Sequence, residues 1–423
     1  MKHLRRGGLL ISIFIIILLF CWYLIYTLNH LNFYSLPGSF PSGQKIVVQI
    51  CLAKEKGGME RCALAQQEAL LAAGVTSILV CAQGSFLELA AQQRGLPAIS
   101  CSPRGISLGH VVWMPGLTKA IQHLYSTYSG YIIATHCNYK REVFVAKEIE
   151  TSHHIPIVLT QHTPARLPQQ ARASVDGIVA VSPHIQQILK ELNQRDNVST
   201  PLTIIPPFFD VERLFYFALP KEERTAYFKE KFNISLLSCP LLLKVAHLYR
   251  NIHHKNHPLL FEAMHDLIYK KNIEVQAILA GEGPNLKRYK KMVQALGLTK
   301  YVHFLGNTEN IAALFHYADI NLLASTNEAF GITLIEGGLM KKPTIIAQNT
   351  GAAHWLISDH ETGFLFKTND SLDLANTIAY VLSHPEIASQ CGEHLYKKIV
   401  SEFLPARSAQ TLLLFYDKLR KNT

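Results

Sequence analysis

The 423 residues suffice for two domains of ordinary size and a further segment. With 48 % apolar and only 17 % charged residues, the chain can bury two cores, and long disordered stretches are excluded. The net charge of +10 is spread as +3 before residue 45, +3 over 45–210 and +4 beyond, which excludes the concentrated basic patch of a nucleic-acid binder and suits a protein working beside anionic lipid and pyrophosphate.

The first predicted element runs from Leu9 to Tyr26, an apolar stretch broken only by Ser12. As a helix it spans roughly 27 Å, close to the hydrocarbon thickness of a bilayer. Trp22, Tyr23 and Tyr26 gather at one end as an interfacial belt. No small-residue cleavage site follows, so residues 1–28 are expected to be an uncleaved membrane anchor. Its orientation carries two opposed signals. Lys2, Arg5 and Arg6 precede the span and no cation follows before Lys45, which places the rest of the chain outside the cytoplasm. The eight cysteines include no CxxC pair and no zinc spacing, and several lie in apolar runs. They read as buried thiols of a reducing compartment, which places the domains on the cytoplasmic side. A segment lying in the interface reconciles the two.

Pro37, Gly38, Pro41 and Gly43 mark residues 29–44 as a linker. Then strand and helix signals alternate. Lys45–Leu52 is a strand, Met59–Ala73 a helix, and apolar runs recur at 76–82, 97–101, 131–135, 155–160 and 176–181. After Pro206-Pro207 a second series begins, with runs at 241–246, 275–280, 301–305, 319–323 and 343–347. This alternation predicts an α/β fold of two Rossmann-like, doubly wound domains, 45–210 and 211–404, facing a cleft. An amphipathic helix in 405–423 closes the chain. Ligands of such sheets bind beyond the carboxyl ends of the strands. There is no GxGxxG fingerprint and no GxxxxGK[ST] loop, so nicotinamide and P-loop chemistry are excluded.

The stretch richest in chemistry is Ser325 to Glu336, after the strand ending at Leu323. Gly331 lets a backbone approach a ligand closely. The helix that begins at Ile332 points its first N–H groups, around Thr333, at the cleft, where they favour a pyrophosphate. Glu328 can accept hydrogen bonds from sugar hydroxyls, and Glu336, a turn into the helix, can reach a ribose. This segment closely resembles the E-x7-E signature of the family 4 (group 1) retaining glycosyltransferases of the GT-B fold, and the resemblance extends over most of residues 45–420.

Other stretches are similar to the same family. Gly57-Gly58 resembles its glycine-rich loop beside the donor diphosphate, and His162 its cleft histidine, near the reacting sugar. Gly281-Glu-Gly283 and Leu305-Gly306 resemble its base-side loops, and Phe330 to Thr333 its donor-binding turn. The family's arginine and lysine, which neutralise the diphosphate, map to His247 and Lys255. The arginine is therefore replaced, and Arg250 is the nearest cation that can substitute. A second departure is Ala352, Ala353 and His354, where the family often has a glycine pair and a glutamate. The basic run Lys287, Arg288, Lys290 and Lys291 reads as a solvated helix face.

The resemblance implies transfer of a sugar from a nucleotide-diphosphate donor to an acceptor with retention of configuration, without cofactor or metal. His162, Glu328 and Lys255 are the expected catalytic groups. The anchor suggests a saccharide or glycolipid acceptor at the membrane, as in lipopolysaccharide or other glycoconjugate synthesis. Two alternatives stay open: a nucleotide-sugar 2-epimerase on the same architecture, and a non-catalytic binding subunit, which the missing arginine favours.

Overall fold

The structure, a computed structural model, describes residues 30–421 apart from 37, 39–40, 42, 55–56, 109–110, 151–152, 212–220 and 309. The apolar stretch read as an anchor lies outside the described residues, among which no helix is long and apolar enough to cross a membrane.

Two sheets organise the chain. The first contains β1 (Leu31–Tyr34), β2 (Ile46–Cys51), β3 (Thr76–Ala82), β4 (Ala98–Cys101), β7 (Ile132–Cys137), β8 (Ile157–Gln161), β9 (Gly177–Ala180) and β10 (Leu202–Ile204), in the order β1-β4-β3-β2-β7-β8-β9-β10. All pair in parallel except β1, which runs antiparallel to β4. A separate hairpin joins β5 (Ile106–Leu108) to β6 (Val111–Trp113). The second sheet holds β11 (Leu241–Val245), β12 (Gln276–Ala280), β13 (Val302–Gly306), β14 (Ile320–Leu323), β15 (Thr344–Ala347) and β16 (Phe364–Phe366), ordered β13-β12-β11-β14-β15-β16 and parallel throughout.

Helices cover both faces, so the central strands are buried on both sides and read as continuous apolar runs. Every residue of β2 and β7 is buried. The winding reverses between β2 and β7 in the first sheet and between β11 and β14 in the second. Those two reversals create the crevices into which ligands of open α/β sheets settle. β1 falls inside the stretch 29–44 that composition marks as a linker. Its signal is weak because a four-residue edge strand owes its existence to a partner, β4, that lies far along the chain.

The two halves share apolar packing. Val181 and Ile185 of the first half belong to one buried cluster with Phe330, Leu334, Ile335 and Phe403 of the second. Ser182 caps the helix Pro183–Arg195 by accepting from Ile185 N, while its own hydroxyl donates to the Ala329 carbonyl at 2.5 Å.

The last helix, Pro405–Arg420, returns to the first sheet. Ala409, Leu412, Phe415, Tyr416 and Leu419 pack with Val47, Ile133, Val158 and Val179. The Tyr416 hydroxyl lies 2.6 Å from His136 Nδ1 on β7, and the other ring nitrogen lies 2.6 Å from the Thr160 hydroxyl on β8. Burial depresses the His136 pKa to about 3, so this buried relay is neutral. Gly177 makes room for the helix: a β-carbon there would lie 2.6 Å from Phe415 and 2.7 Å from Leu419. Gly177→Val is therefore expected to lift the helix and cost about 2–3 kcal/mol, seen as a lowered thermal midpoint. An unchanged midpoint would mean that the helix contributes nothing to the first half.

Candidate active site

Both sheet reversals present candidate residues to the same space. From the first sheet, the chain leaving β2 reaches Gly57, whose N–H donates to Glu60 Oε2 at 2.9 Å as the helix Gly58–Ala72 begins. The other oxygen of buried Glu60 accepts from the Tyr139 hydroxyl at 3.0 Å. Glu142 ties the neighbouring loop: its carboxylate accepts from the backbone N–H groups of Leu52, Asn138 and Tyr139 at 2.8–2.9 Å. The loops after β2 and β7 are thus held together by two buried carboxylates.

His162 follows β8 directly. Asn138 Nδ2 donates to the Ile50 carbonyl at 2.8 Å, so Oδ1 is the atom facing His162 Nε2 at 2.9 Å. That network assigns the ring proton to Nε2 and leaves Nδ1 as an acceptor. Burial holds the pKa near 4, so the ring is neutral at pH 7.

From the second sheet, β14 runs into the loop that carries Glu328. Glu328 is ion-paired with Lys255, and both side chains are less than a fifth exposed. The Ser325 hydroxyl donates to the same carboxylate oxygen at 2.9 Å, and the Thr350 hydroxyl holds the Ser325 carbonyl at 2.5 Å. Gly331 then takes φ +93° and caps the helix Ile332–Leu339. A β-carbon at Gly331 would lie 2.6 Å from Leu323, so both backbone conformation and space demand glycine. The N-termini of the helices Gly58–Ala72 and Ile332–Leu339 are neighbours: a β-carbon on Gly58 would be 3.7 Å from Ile332 Cδ1. Each brings unpaired N–H groups and a partial positive charge.

The remaining predicted residues fall around this centre. His247 and Arg250 are exposed on the loop after β11, where the His247 and Tyr249 rings are 4.3 Å apart. That loop is zipped to the one after β12: Leu248 N donates to Glu282 O at 2.8 Å, and Gly281, at φ +142°, lies against Ala246 O, where no side chain fits. Leu305 is half-buried on β13. The Phe330 ring is not in the cleft; it is 3 % exposed and packs edge-on against Trp355, so only its backbone faces the turn. Glu336 is half-buried and lies toward the first half, where its charge helps push the Cys62 thiol up. The basic run on the helix Leu286–Ala295 is exposed, as its pattern predicts. Cysteines among the described residues are unpaired thiols, all buried except half-buried Cys239. No group of three His, Cys, Asp or Glu among the described residues is arranged to hold a metal.

Three features escape a linear reading. Asn138 fixes the tautomer of His162, and Ser325 orients Glu328; both are ordinary polar residues in loops. The third is Lys244, 1 % exposed near the end of β11, with no acceptor for its ammonium among the described residues. Its sequence signal is a lysine inside the apolar run Leu241–Val245.

The arrangement resembles known proteins. The family described as Glycosyltransferase Family 4 matches residues 56–213, and Glycosyl transferases group 1 matches residues 240–398. The N-acetyl-alpha-D-glucosaminyl L-malate synthase of Bacillus anthracis is 28 % identical over 149 residues, 35 % of this chain and 39 % of that protein. The lipopolysaccharide core biosynthesis mannosyltransferase LpcC of Rhizobium leguminosarum bv. viciae is 27 % identical over 172 residues, 40 % of this chain and 48 % of that protein. These matches span less than half the length of either relative. Among solved structures, a glycosyltransferase from Rickettsia africae superposes with a TM-score of 0.74 at 21 % identity, covering 90 % of this chain and 100 % of its own. Anabaena HepE in complex with UDP gives 0.71 at 19 %, covering 89 % and 100 %. At these identities the structural likeness is one of fold.

Proposed function

The chain belongs to the group 1 glycosyltransferases of family 4, with the GT-B fold, and from that premise we propose that it moves a sugar from a nucleotide diphosphate to a saccharide or glycolipid at a membrane, retaining configuration. One observation carries the reading: Glu328, held by Ser325 and Lys255, stands just before a helix whose first residue, Ile332, packs beside Gly58 at the start of the helix Gly58–Ala72.

In the proposed reaction the bond from the anomeric carbon to the diphosphate oxygen breaks. A bond from the acceptor oxygen to that carbon forms on the same face. The acceptor proton passes to the departing phosphate oxygen. Positive charge grows on the sugar and negative charge on the leaving group, so preorganised cations and N–H groups at the diphosphate lower the barrier most. Lys255 and the N–H groups at Gly331–Thr333 do this; Glu328 and His162 Nδ1 accept from sugar hydroxyls and hold the ring in place.

Support for a membrane acceptor comes from two sources. Residues 9–26 read as an anchor. Lys54, Arg104 and Arg166, on loops after β2, β4 and β8, and Lys140 and Arg141, which begin the helix after β7, are exposed at the carboxyl end of the first sheet, where an anionic headgroup or lipid surface would be attracted. The thiols and a nucleotide-sugar donor favour the cytoplasmic face.

The test is turnover of a panel of UDP-, GDP- and ADP-sugars by the full chain in lipid nanodiscs, with extracted glycolipid as acceptor. The expected result is nucleotide release from one donor and an α-linked product from an α-linked donor. Nucleotide binding without turnover against any acceptor would favour a non-catalytic subunit, for which His247 in place of the arginine is the structural argument. Release of a free epimerised sugar would favour the isomerase.

A further inference from the structure

The buried lysine on β11 has no role in the mechanism above. Lys244 lies one residue from the carboxyl end of the central strand, beside the reversal between β11 and β14. It shares the strand face of Leu242, which packs under the helix His257–His265 with Leu259 and Leu260. An ammonium in such a place lacks both water and an acceptor, a costly state unless the amine sheds its proton or gains an anion. Its surroundings are cationic. Lys255 and the N-terminus of the helix His257–His265 are near, and Glu328, already paired with Lys255, is among the described residues the one carboxylate whose charge reaches it. His257, at the start of that helix, is buried and neutral, its pKa depressed to about 2 by burial and by Lys244. His254 is held below its usual range by burial and by Lys255.

The strand therefore ends in positive sources with a single negative one among them. That imbalance suits a dianion brought from outside. It also bears on the departure from the family pattern, since the position of the family arginine is occupied by His247. We propose that Lys244 is a positioning cation of the donor site, which takes up a proton as the donor diphosphate binds and so supplies from the strand the second positive charge that the loop lacks. This rests on the donor-site reading given above. It is strengthened by the direction in which burial and Lys255 push the amine, down to about 7, so that it is largely uncharged in the unliganded protein just above neutrality. A nearby diphosphate favours the charged form and raises that value. Binding and protonation are then linked, and nucleotide affinity falls as pH rises above 7 until the value of the bound state is passed.

The experiment is titration calorimetry of the full chain with UDP, GDP and ADP at pH 8.0, in Tris and in HEPES, whose ionisation heats differ. Wild type is expected to take up more than half a proton per nucleotide, and its affinity to fall about fivefold or more from pH 7.5 to 8.5. Lys244→Met, which fills the same space without a charge, is expected to bind more weakly at pH 7 with no uptake and a flat profile. Uptake without loss in the variant, or binding by wild type without uptake, overturns the role of Lys244; the second result needs no variant to fold. Failure of all three nucleotides to bind overturns the donor-site reading itself, and this inference with it.

Discussion

Glu328→Gln is expected to lower sugar transfer by about 10²–10³-fold, roughly 3–4 kcal/mol of barrier, while changing nucleotide affinity by less than about threefold. The substitution keeps the volume of the side chain and one oxygen for the Ser325 hydroxyl. It removes the negative charge that pairs with Lys255 and replaces the second carboxylate oxygen by an amide N–H₂, which cannot accept from a sugar hydroxyl; the oxygen shared by Ser325 and Lys255 is kept. The interaction lost is with the sugar, whose charge develops only in the transition state, so the effect belongs in kcat rather than in nucleotide binding. Initial rates with the identified donor, set beside calorimetric nucleotide affinity, give the two numbers. A variant keeping a third or more of wild-type turnover would remove Glu328 from the centre of the mechanism.

The second large effect concerns stability. Lys244 has its pKa lowered to about 7 in the folded protein by burial, with Lys255 adding to the effect and Glu328 opposing it. The unfolded amine titrates near 10.4. Between those values the unfolded state binds the extra proton, so this group makes the folded protein more stable as pH rises from about 7 toward 10. Below pH 7 the folded form bears the full cost of a buried ammonium. Lys244→Met is therefore expected to be more stable than wild type by a few kcal/mol at pH 6–7, the difference shrinking steadily toward pH 10. Urea midpoints of the unliganded proteins between pH 6 and 9.5 measure this directly. Parallel curves, or a variant weaker throughout, would show that the amine finds an acceptor when folded.

The two α/β halves were legible because fully buried parallel strands leave continuous apolar runs between helical segments. Every predicted run in both series falls on a strand, within a few residues at its ends. The candidate site was legible where backbone demands a residue type, as at Gly331 with its positive φ, and where charge stands out in a loop, as at Glu328 and Lys255. What escaped depends on partners distant in sequence. β1 needs β4 to be a strand, and β16 is three residues long. The orientation of the Phe330 ring is decided by Trp355 and Phe403. The tautomer of His162 is decided by Asn138 on another strand end. Lys244 was visible as a charge in an apolar run, but only the fold shows that its amine is enclosed and that it shares a neighbourhood with Lys255 and Glu328.

The return of the helix Pro405–Arg420 to the first sheet has a consequence for the order in which the protein can be made. The buried faces of Val47, Ile133, Val158 and Val179 are covered by residues 409–419, which follow the whole second half in sequence. The first half is thus completed only after the second has been made, whereas most multidomain chains finish an earlier unit while synthesis continues. Until Tyr416 reaches His136, the first sheet carries an uncovered apolar face and an imidazole whose Nδ1 lacks its partner. A chain released before residue 405 would leave both uncovered.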